Sequence, residues 1–397
     1  MSTALDNVEE KNTWIPIPSD YPPNRLFCLD LLRGLDMFYL AVVSAILGPL
    51  FQALKLDPSW KMFFCSHPWE GFTLYDLIMP LFIFMCGAAV PFALGRRMID
   101  GRPAPGYWKH VWSRFALLWV LGMLAQGQLA TLDVHQISPY NNTLQTIAVG
   151  YLAAAYVMTI RSWKIRVAIP LLLTVAYGLI VHFGGDYTKD GNITQAVELK
   201  ILNMILPSDN SSIKGIVTHG YTWFLPSLMF PVITLAGSFS TELLIRKDFG
   251  VWKRAGGLAL LGLSSLAVGW VLALAGVKMV KHIFTVSFTL QAIGWSELSL
   301  AALFVLTDIW KIRKGTGLLL LFGQFALTAY LAEAVFRKAC YAVSDRVFIG
   351  LQNLVPTLYA PVVAAVGYGI VVVAVVMIRR QLALQAAGGR GSQLESP

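Results

Sequence analysis

Charge is what this chain has least of. Only 13% of its 397 residues are Asp, Glu, Lys or Arg, against 56% hydrophobic, and the mean hydropathy is +0.62. Length alone would allow two soluble domains; this composition does not. Cysteine is scarce as well. The four at positions 28, 65, 86 and 340 have no C-x-x-C spacing, so the sequence offers no metal site. Free thiols and a Cys65–Cys340 disulfide both stay open. Acidic residues number 22 against 31 basic ones, a net charge of +9. In a soluble protein that excess would point to nucleic acid. Here no nucleic-acid partner is expected, because Lys and Arg fix topology at the inner face of a membrane. Residues 1–24 hold no hydrophobic core of the kind a cleavable signal peptide needs.

What the chain has in quantity is long apolar blocks. A run such as 77–94, free of charge, is long enough to cross a bilayer as a helix, and only helices or closed barrels satisfy backbone polar groups there. The expected fold is all-α: a polytopic transmembrane bundle of about ten spans. These are placed at 33–54, 74–95, 111–130, 143–160, 165–183, 222–245, 254–275, 283–307, 316–336 and 356–378. The expected organisation is a cytoplasmic tail (1–25), a transmembrane domain (26–380) and a disordered cytoplasmic tail (381–397). Residues 194–206 read as a short amphipathic helix lying on the membrane surface.

Basic residues set the orientation. Arg96, Arg97, Arg102 and Lys109, then Arg161, Lys164 and Arg166, then Arg246, Lys247, Lys253 and Arg254 crowd alternate short loops. That places both termini in the cytoplasm. Trp108, Trp112, Trp163, Trp252 and Trp310 fall at the same face, as an aromatic belt would. His67, His135, His182, His219 and His282 then face outward. So do three glycosylation sequons beginning at Asn141, Asn192 and Asn210.

The stretch 65–91 holds the most chemistry. His67 precedes Pro68, which restricts it to an extended backbone. Gly71 lets the chain turn, and Asp76 stands at the mouth of the next span. A loop histidine more often hydrogen-bonds a carbonyl than reacts. With a carboxylate in reach, however, an imidazole can act as general base or nucleophile. Charges inside spans are costly, by roughly 2.5–3.5 kcal/mol on insertion scales, and tend to face a cavity or a partner. Glu297, Glu333 and Arg114 are such residues. Arg33 and Asp36, three apart, share a helix face and read as a local ion pair. Thr285, Ser287, Thr289, Thr328 and Tyr330 line spans either as packing contacts or as a polar cavity.

Several blocks, in order, resemble the heparan-α-glucosaminide N-acetyltransferase family, in particular its short bacterial members. Arg25-Leu26, then Leu29-Asp30-Leu31-Leu32-Arg33-Gly34 followed by Asp36-Met37-Phe38, is similar to the family's opening signature. His67-Pro68-Trp69-Glu70-Gly71-Phe72-Thr73, continuing through Asp76-Leu77 to Pro80, resembles its histidine block. Leu144-Gln145-Thr146-Ile147-Ala148 is similar to an LQRIA motif with Thr146 in place of arginine. Lys281-His282-Ile283-Phe284-Thr285-Val286-Ser287 and Leu327-Thr328-Ala329-Tyr330-Leu331 resemble two later blocks. A second polar residue, asparagine in another branch, falls on Ser44.

The resemblance implies transfer of an acetyl group from cytosolic acetyl-CoA to an amino sugar or oligosaccharide across the bilayer. His67 and Asp76 would be catalytic. Arg33, Asp36, Arg96, Arg97, Arg114, Gln145 and Ser287 are expected to hold acetyl-CoA. Ser44, Trp69, Glu70, Lys281 and Glu297 are expected to meet the acceptor, and Ser287 or Lys281 would steady an oxyanion. No metal is implied. The lipid bilayer is a partner, and a homodimer is left open. The expected location is a bacterial inner membrane with His67 on the periplasmic side. Two rival readings are an O-acetyltransferase of a polysaccharide and a sugar transporter or flippase using Glu297 and Glu333.

Overall fold

The computed structural model describes residues 26–66, 68–99 and 102–394, with side chains up to 385. Of the described residues, 75% are helical. In chain order the helices are α1 (Phe27–Phe38), α2 (Ser44–Ala53), α3 (Pro58–Cys65), α4 (Leu74–Gly95), α5 (Tyr107–Ala125), α6 (Thr143–Met158), α7 (Trp163–Gly184), α8 (Ile193–Ile205), α9 (Ser211–His219), α10 (Met229–Ile245), α11 (Val251–Leu274), α12 (Val286–Leu303), α13 (Gly317–Gln324), α14 (Ala326–Ala334), α15 (Arg337–Leu354) and α16 (Ala360–Leu394). The two-residue strands β1 (Met98–Ile99) and β2 (Arg102–Pro103) pair antiparallel. Short π-helical segments, Tyr39–Val43 and Phe304–Ile309, join α1 to α2 and extend α12.

Among the described residues, seven helices are long and apolar enough to cross a membrane: Phe27–Ala53, Leu74–Gly95, Trp163–Gly184, Leu225–Ile245, Val251–Leu274, Val286–Ile309 and Ala360–Gln385. This is compatible with an integral membrane protein. The other three expected spans take different forms. α6 is apolar but short, at 16 residues. α5 carries Lys109, His110 and Arg114 in its first half. The stretch expected as one helix over 316–336 is broken at Phe325, where α13 and α14 meet at 78°. Residues 337–354, expected as an outer loop, form the amphipathic helix α15. Its charged residues interrupt the apolar pattern without interrupting the helix.

The chain divides into two compact units. One takes the described residues up to Cys65 and those from Leu303 onward. In it α1 lies against α13 at backbone contact. A methyl group on Gly34 would fall 1.8 Å from the Leu319 carbonyl oxygen, and one on Gly323 would fall 2.0 Å from that of Asp30. Phe27, Leu31 and Leu320 fill the seam, and Asp308 caps α1 by accepting from the Phe27 and Cys28 amides. All four cysteines are free thiols.

The second unit, Ser66–Ala302, uses the same device. On α4, a methyl on Gly87 would meet the Thr234 carbonyl at 1.8 Å, and on α10 one on Gly237 would meet that of Phe84 at 2.0 Å. Small residues at such seams let helix backbones approach without Cβ collision. Val90, Leu94, Tyr107, Val111, Tyr151 and Leu235 form the core around them.

Candidate functional site at the head of α4

α4 starts where its sequence says it should. Thr73 is the N-cap. Its hydroxyl accepts from the Asp76 amide, while Asp76 Oδ2 accepts from the Thr73 amide at 2.8 Å. Two of the four unpaired donors of the helix start are thereby satisfied. The other oxygen, Oδ1, faces Lys281 Nζ at 3.3 Å, with the two side chains 0% and 6% exposed. Lys281 comes from the connection between α11 and α12. Burial pushes its ammonium below the ordinary lysine range, and the Asp76 carboxylate pulls it back up. A buried pair like this holds only if each charge keeps its partner.

The same connection supplies the neighbours. Gly71, at φ 120°, donates its amide to the Met279 carbonyl. Glu70 pairs with Lys278 at 2.9 Å on the exposed rim. Trp69 stacks on His282 with ring centres 4.8 Å apart and donates Nε1–H to the Tyr187 carbonyl. Tyr221 also packs on His282, at 5.0 Å, and stacks on Trp223 at 4.7 Å. Ser287 donates to the Lys278 carbonyl, and its hydroxyl lies 3.3 Å from that of Thr285. The result is a half-buried polar cluster walled by aromatic rings.

Thus Trp69, Glu70, Asp76, Lys281 and Ser287 come together at one end of the second unit. His67 lies outside the described residues. Arg96 and Arg97 follow the far end of the same helix, α4 (Leu74–Gly95), about 30 Å from Asp76 at 1.5 Å per residue. Both are exposed. Arg114 on α5 sits over the Tyr151 ring at 4.6 Å. Gln145 is wholly buried and committed to its own turn, accepting from the Asn141 amide and donating to the Pro139 carbonyl. Glu297 is buried in α12 between the hydroxyls of Ser240 on α10 and Ser265 on α11, at 3.3 and 3.4 Å.

Arg33, Asp36 and Ser44 belong to the other unit. There the expected Arg33–Asp36 pair is replaced by Arg33–Asp30, at 3.3 Å. Three-residue spacing in either direction would put the partner on the same face, and Asp36 is instead turned into the protein at 4% exposure. Ser44 donates to the Leu40 carbonyl of its own helix.

Several site residues escaped the sequence reading. Lys281–Asp76 joins positions far apart in the chain, and no periodicity encodes such a contact. His282 was visible within its motif but had no evident role. Glu198 was hidden by the surface-helix reading of α8, whose inward face is in fact polar: Thr194, Gln195 and Glu198, with Leu202. Two sequons are also structural. Asn192 and Asn210 are buried N-caps of α8 and α9, and their amides donate to backbone carbonyls, so no glycan can be attached to them in this fold.

No cluster of three His, Cys, Asp or Glu side chains is placed to hold a metal among the described residues. An apolar groove of about 670 Å³ runs along α7 and α11, lined by Leu171, Val175, Phe183, Val268 and Leu272. None of the residues expected at the site lines it. Comparison of the chain with models of known protein families gave no match, and no curated protein matched it.

Proposed function

We propose that this chain is a membrane acetyltransferase that moves an acetyl group from cytosolic acetyl-CoA to an amino sugar or glycan on the opposite face. The observation that carries the reading is the gathering of Trp69, Glu70, Asp76, Lys281 and Ser287 at one end of a single unit. These residues come from two sequence blocks more than two hundred positions apart, and both blocks resemble the same family. In this reading ten crossings arise from the seven long apolar helices together with α5, α6 and the bent α13–α14 pair. Both termini are cytoplasmic, the membrane is a bacterial inner membrane, and the head of α4 faces the periplasm.

The chemistry is acyl transfer. The acceptor nitrogen attacks the thioester carbonyl, a C–N bond forms, the C–S bond breaks, and the CoA thiolate leaves. His67 takes the proton that the attacking amine must lose. The Lys281 ammonium, held by Asp76, places positive charge beside the oxyanion, where a buried site makes it count most. Trp69 and Tyr221 offer apolar ring surface to a sugar, and the Glu70–Lys278 rim offers hydrogen bonds. Arg96 and Arg97 supply cations for nucleotide phosphates at the opposite end of α4.

Acetyl transfer in membrane vesicles tests this directly. With acetyl-CoA supplied inside and glucosamine outside, wild-type protein should release acetylated product and His67→Ala should not. Full activity in His67→Ala rejects the catalytic assignment. Failure of purified protein to bind acetyl-CoA rejects the enzyme reading and leaves a transporter, with Glu297 as its intramembrane acid. Mass spectrometry of the product separates an amide from the ester of an O-acetyltransferase.

A further inference from the structure

Glu198 is a carboxylate shut inside the protein, at 0% exposure. Its Oε2 accepts from the backbone amides of Trp223 and Phe224, at 3.1 and 2.8 Å. These amides stand at the entrance to the run Leu225–Ile245, so Glu198 caps a helix start from a different helix. Its second oxygen, Oε1, has no hydrogen-bond partner among the described residues. The segment it holds is the aromatic wall of the site. Tyr221 and Trp223 are its rings, and Thr222 donates its amide to the His282 carbonyl and its hydroxyl to Thr194 on α8.

The geometry points to Glu198 as a proton-operated latch: protonated, it keeps α8 docked against the 221–224 wall, and on ionising it releases that wall. The reason lies in the unequal treatment of its two oxygens. A carboxylate spreads its charge over both, and here one meets two N–H donors while the other meets none. The buried anion is therefore poorly solvated. Burial raises this carboxyl to about 7, and the two amides offset only part of the shift.

The sign follows from linkage. Exposed to water, the group would return to the ordinary glutamate range near 4.3. The docked state thus binds the proton more tightly than the undocked one. Between those two values, each unit rise in pH favours undocking by up to about tenfold, and above about 7 the effect levels off. Among the groups in the field of Glu198 is Tyr140, whose phenol is raised by burial first and, to a lesser extent, by the Glu198 charge. The ionisable groups facing this region are His282, buried against Tyr221 of the wall, and the exposed His182 at the end of α7, Lys200 on α8, and Lys214 and His219 on α9. The inference rests on the site's geometry and stands whether or not the chain transfers acetyl groups.

Amide hydrogen exchange on the intact protein in detergent, corrected for the intrinsic pH dependence of exchange, reads the latch. Protection of the Trp223 and Phe224 amides should fall at least tenfold from pH 5 to pH 7.5, while core amides of α4 hold constant. In Glu198→Gln, which mimics the neutral side chain, protection should not change over that range. Unchanged or rising protection in the wild type overturns the inference. So does a pH response that survives in Glu198→Gln, whichever histidine carries it. If Glu198→Gln does not fold, the series is run on His282→Gln, and a wild-type response that disappears there overturns the inference.

Discussion

Lys281 Nζ lies 3.3 Å from Asp76 Oδ1 with both side chains closed to solvent, and this contact ties the α11–α12 connection to the first turn of α4. Removing one partner of a buried pair leaves the other charge uncompensated, at a cost of about 3–5 kcal/mol. Lys281→Met should therefore lower the thermal midpoint of the purified protein sharply. Asp76→Asn keeps an oxygen for the Thr73 amide and should cost less than removal of the lysine. The double variant Asp76→Asn/Lys281→Met should recover much of the loss. A double variant as unstable as the sum of the singles would show that the pair is not coupled.

Asp76→Asn also makes a prediction about pH. In the wild type, burial lowers the Lys281 pKa and Asp76 opposes the shift. Without the carboxylate the lysine drops further, while in the unfolded chain it stays near 10.4. Between those values the unfolded state holds more protons, so stability rises with pH. The melting temperature of Asp76→Asn should climb more steeply from pH 7 to pH 9 than that of the wild type. Parallel curves would count against the pairing.

The exposed partner of this arrangement should behave differently. Glu70 and Lys278 meet at 2.9 Å, but each is about half exposed, and such pairs contribute about 0–1 kcal/mol. Glu70→Gln should leave the melting temperature nearly unchanged. If acetyl transfer falls in that variant while stability holds, Glu70 acts on the acceptor. Unaltered kinetics would reduce it to a rim ion pair.

How far the sequence could lead depended on the range of the interaction. The apolar runs that became α4, α7, α11 and α12 were readable because a spanning helix is written in consecutive residues. The start of α4 near Asp76 was readable for the same reason, but the capping contact between Thr73 and Asp76 was not read from it. α15 was missed because Arg337, Lys338, Asp345 and Arg346 mask a helix that exposes one face. The break at Phe325 was missed because the sequence stays apolar across it, from α13 into α14. Lys281–Asp76, Trp69–His282 and Glu198 with the Trp223 amide are each made by tertiary packing between separate elements. A resemblance of motifs can mark both members of such a pair, but only the fold shows that they touch.

Trp69 makes two separable contacts, a stack on His282 and a hydrogen bond from Nε1 to the Tyr187 carbonyl. Trp69→Phe should retain most of the stack and lose the hydrogen bond, a change of about 1 kcal/mol. Trp69→Ala should lose both and open space beside His282, costing about 3–5 kcal/mol as aromatic truncations do. Thermal melts of the two variants check the ranking. Equal effects would mean that the hydrogen bond, not the ring, supports the wall.

The closest helix contact in the second unit allows the sharpest test of packing. A Cβ on Gly87 would stand 1.8 Å from the Thr234 carbonyl oxygen, whereas one on Gly48 in α2 meets nothing within 4 Å. Both glycines are helical, so alanine gains about 1 kcal/mol of helix propensity at each. At Gly48 nothing opposes that gain, and Gly48→Ala should be neutral or slightly stabilising. At Gly87 the methyl must force α4 and α10 apart along a backbone that has no flexible side chain to yield. Overpacking of this kind costs about 1–3 kcal/mol or more, and Gly87→Ala should melt well below the wild type. Because α4 carries Asp76 at its head, the same separation should weaken the Lys281 pair. A Gly87→Ala protein as stable as Gly48→Ala would mean that the α4–α10 seam is looser than backbone contact requires.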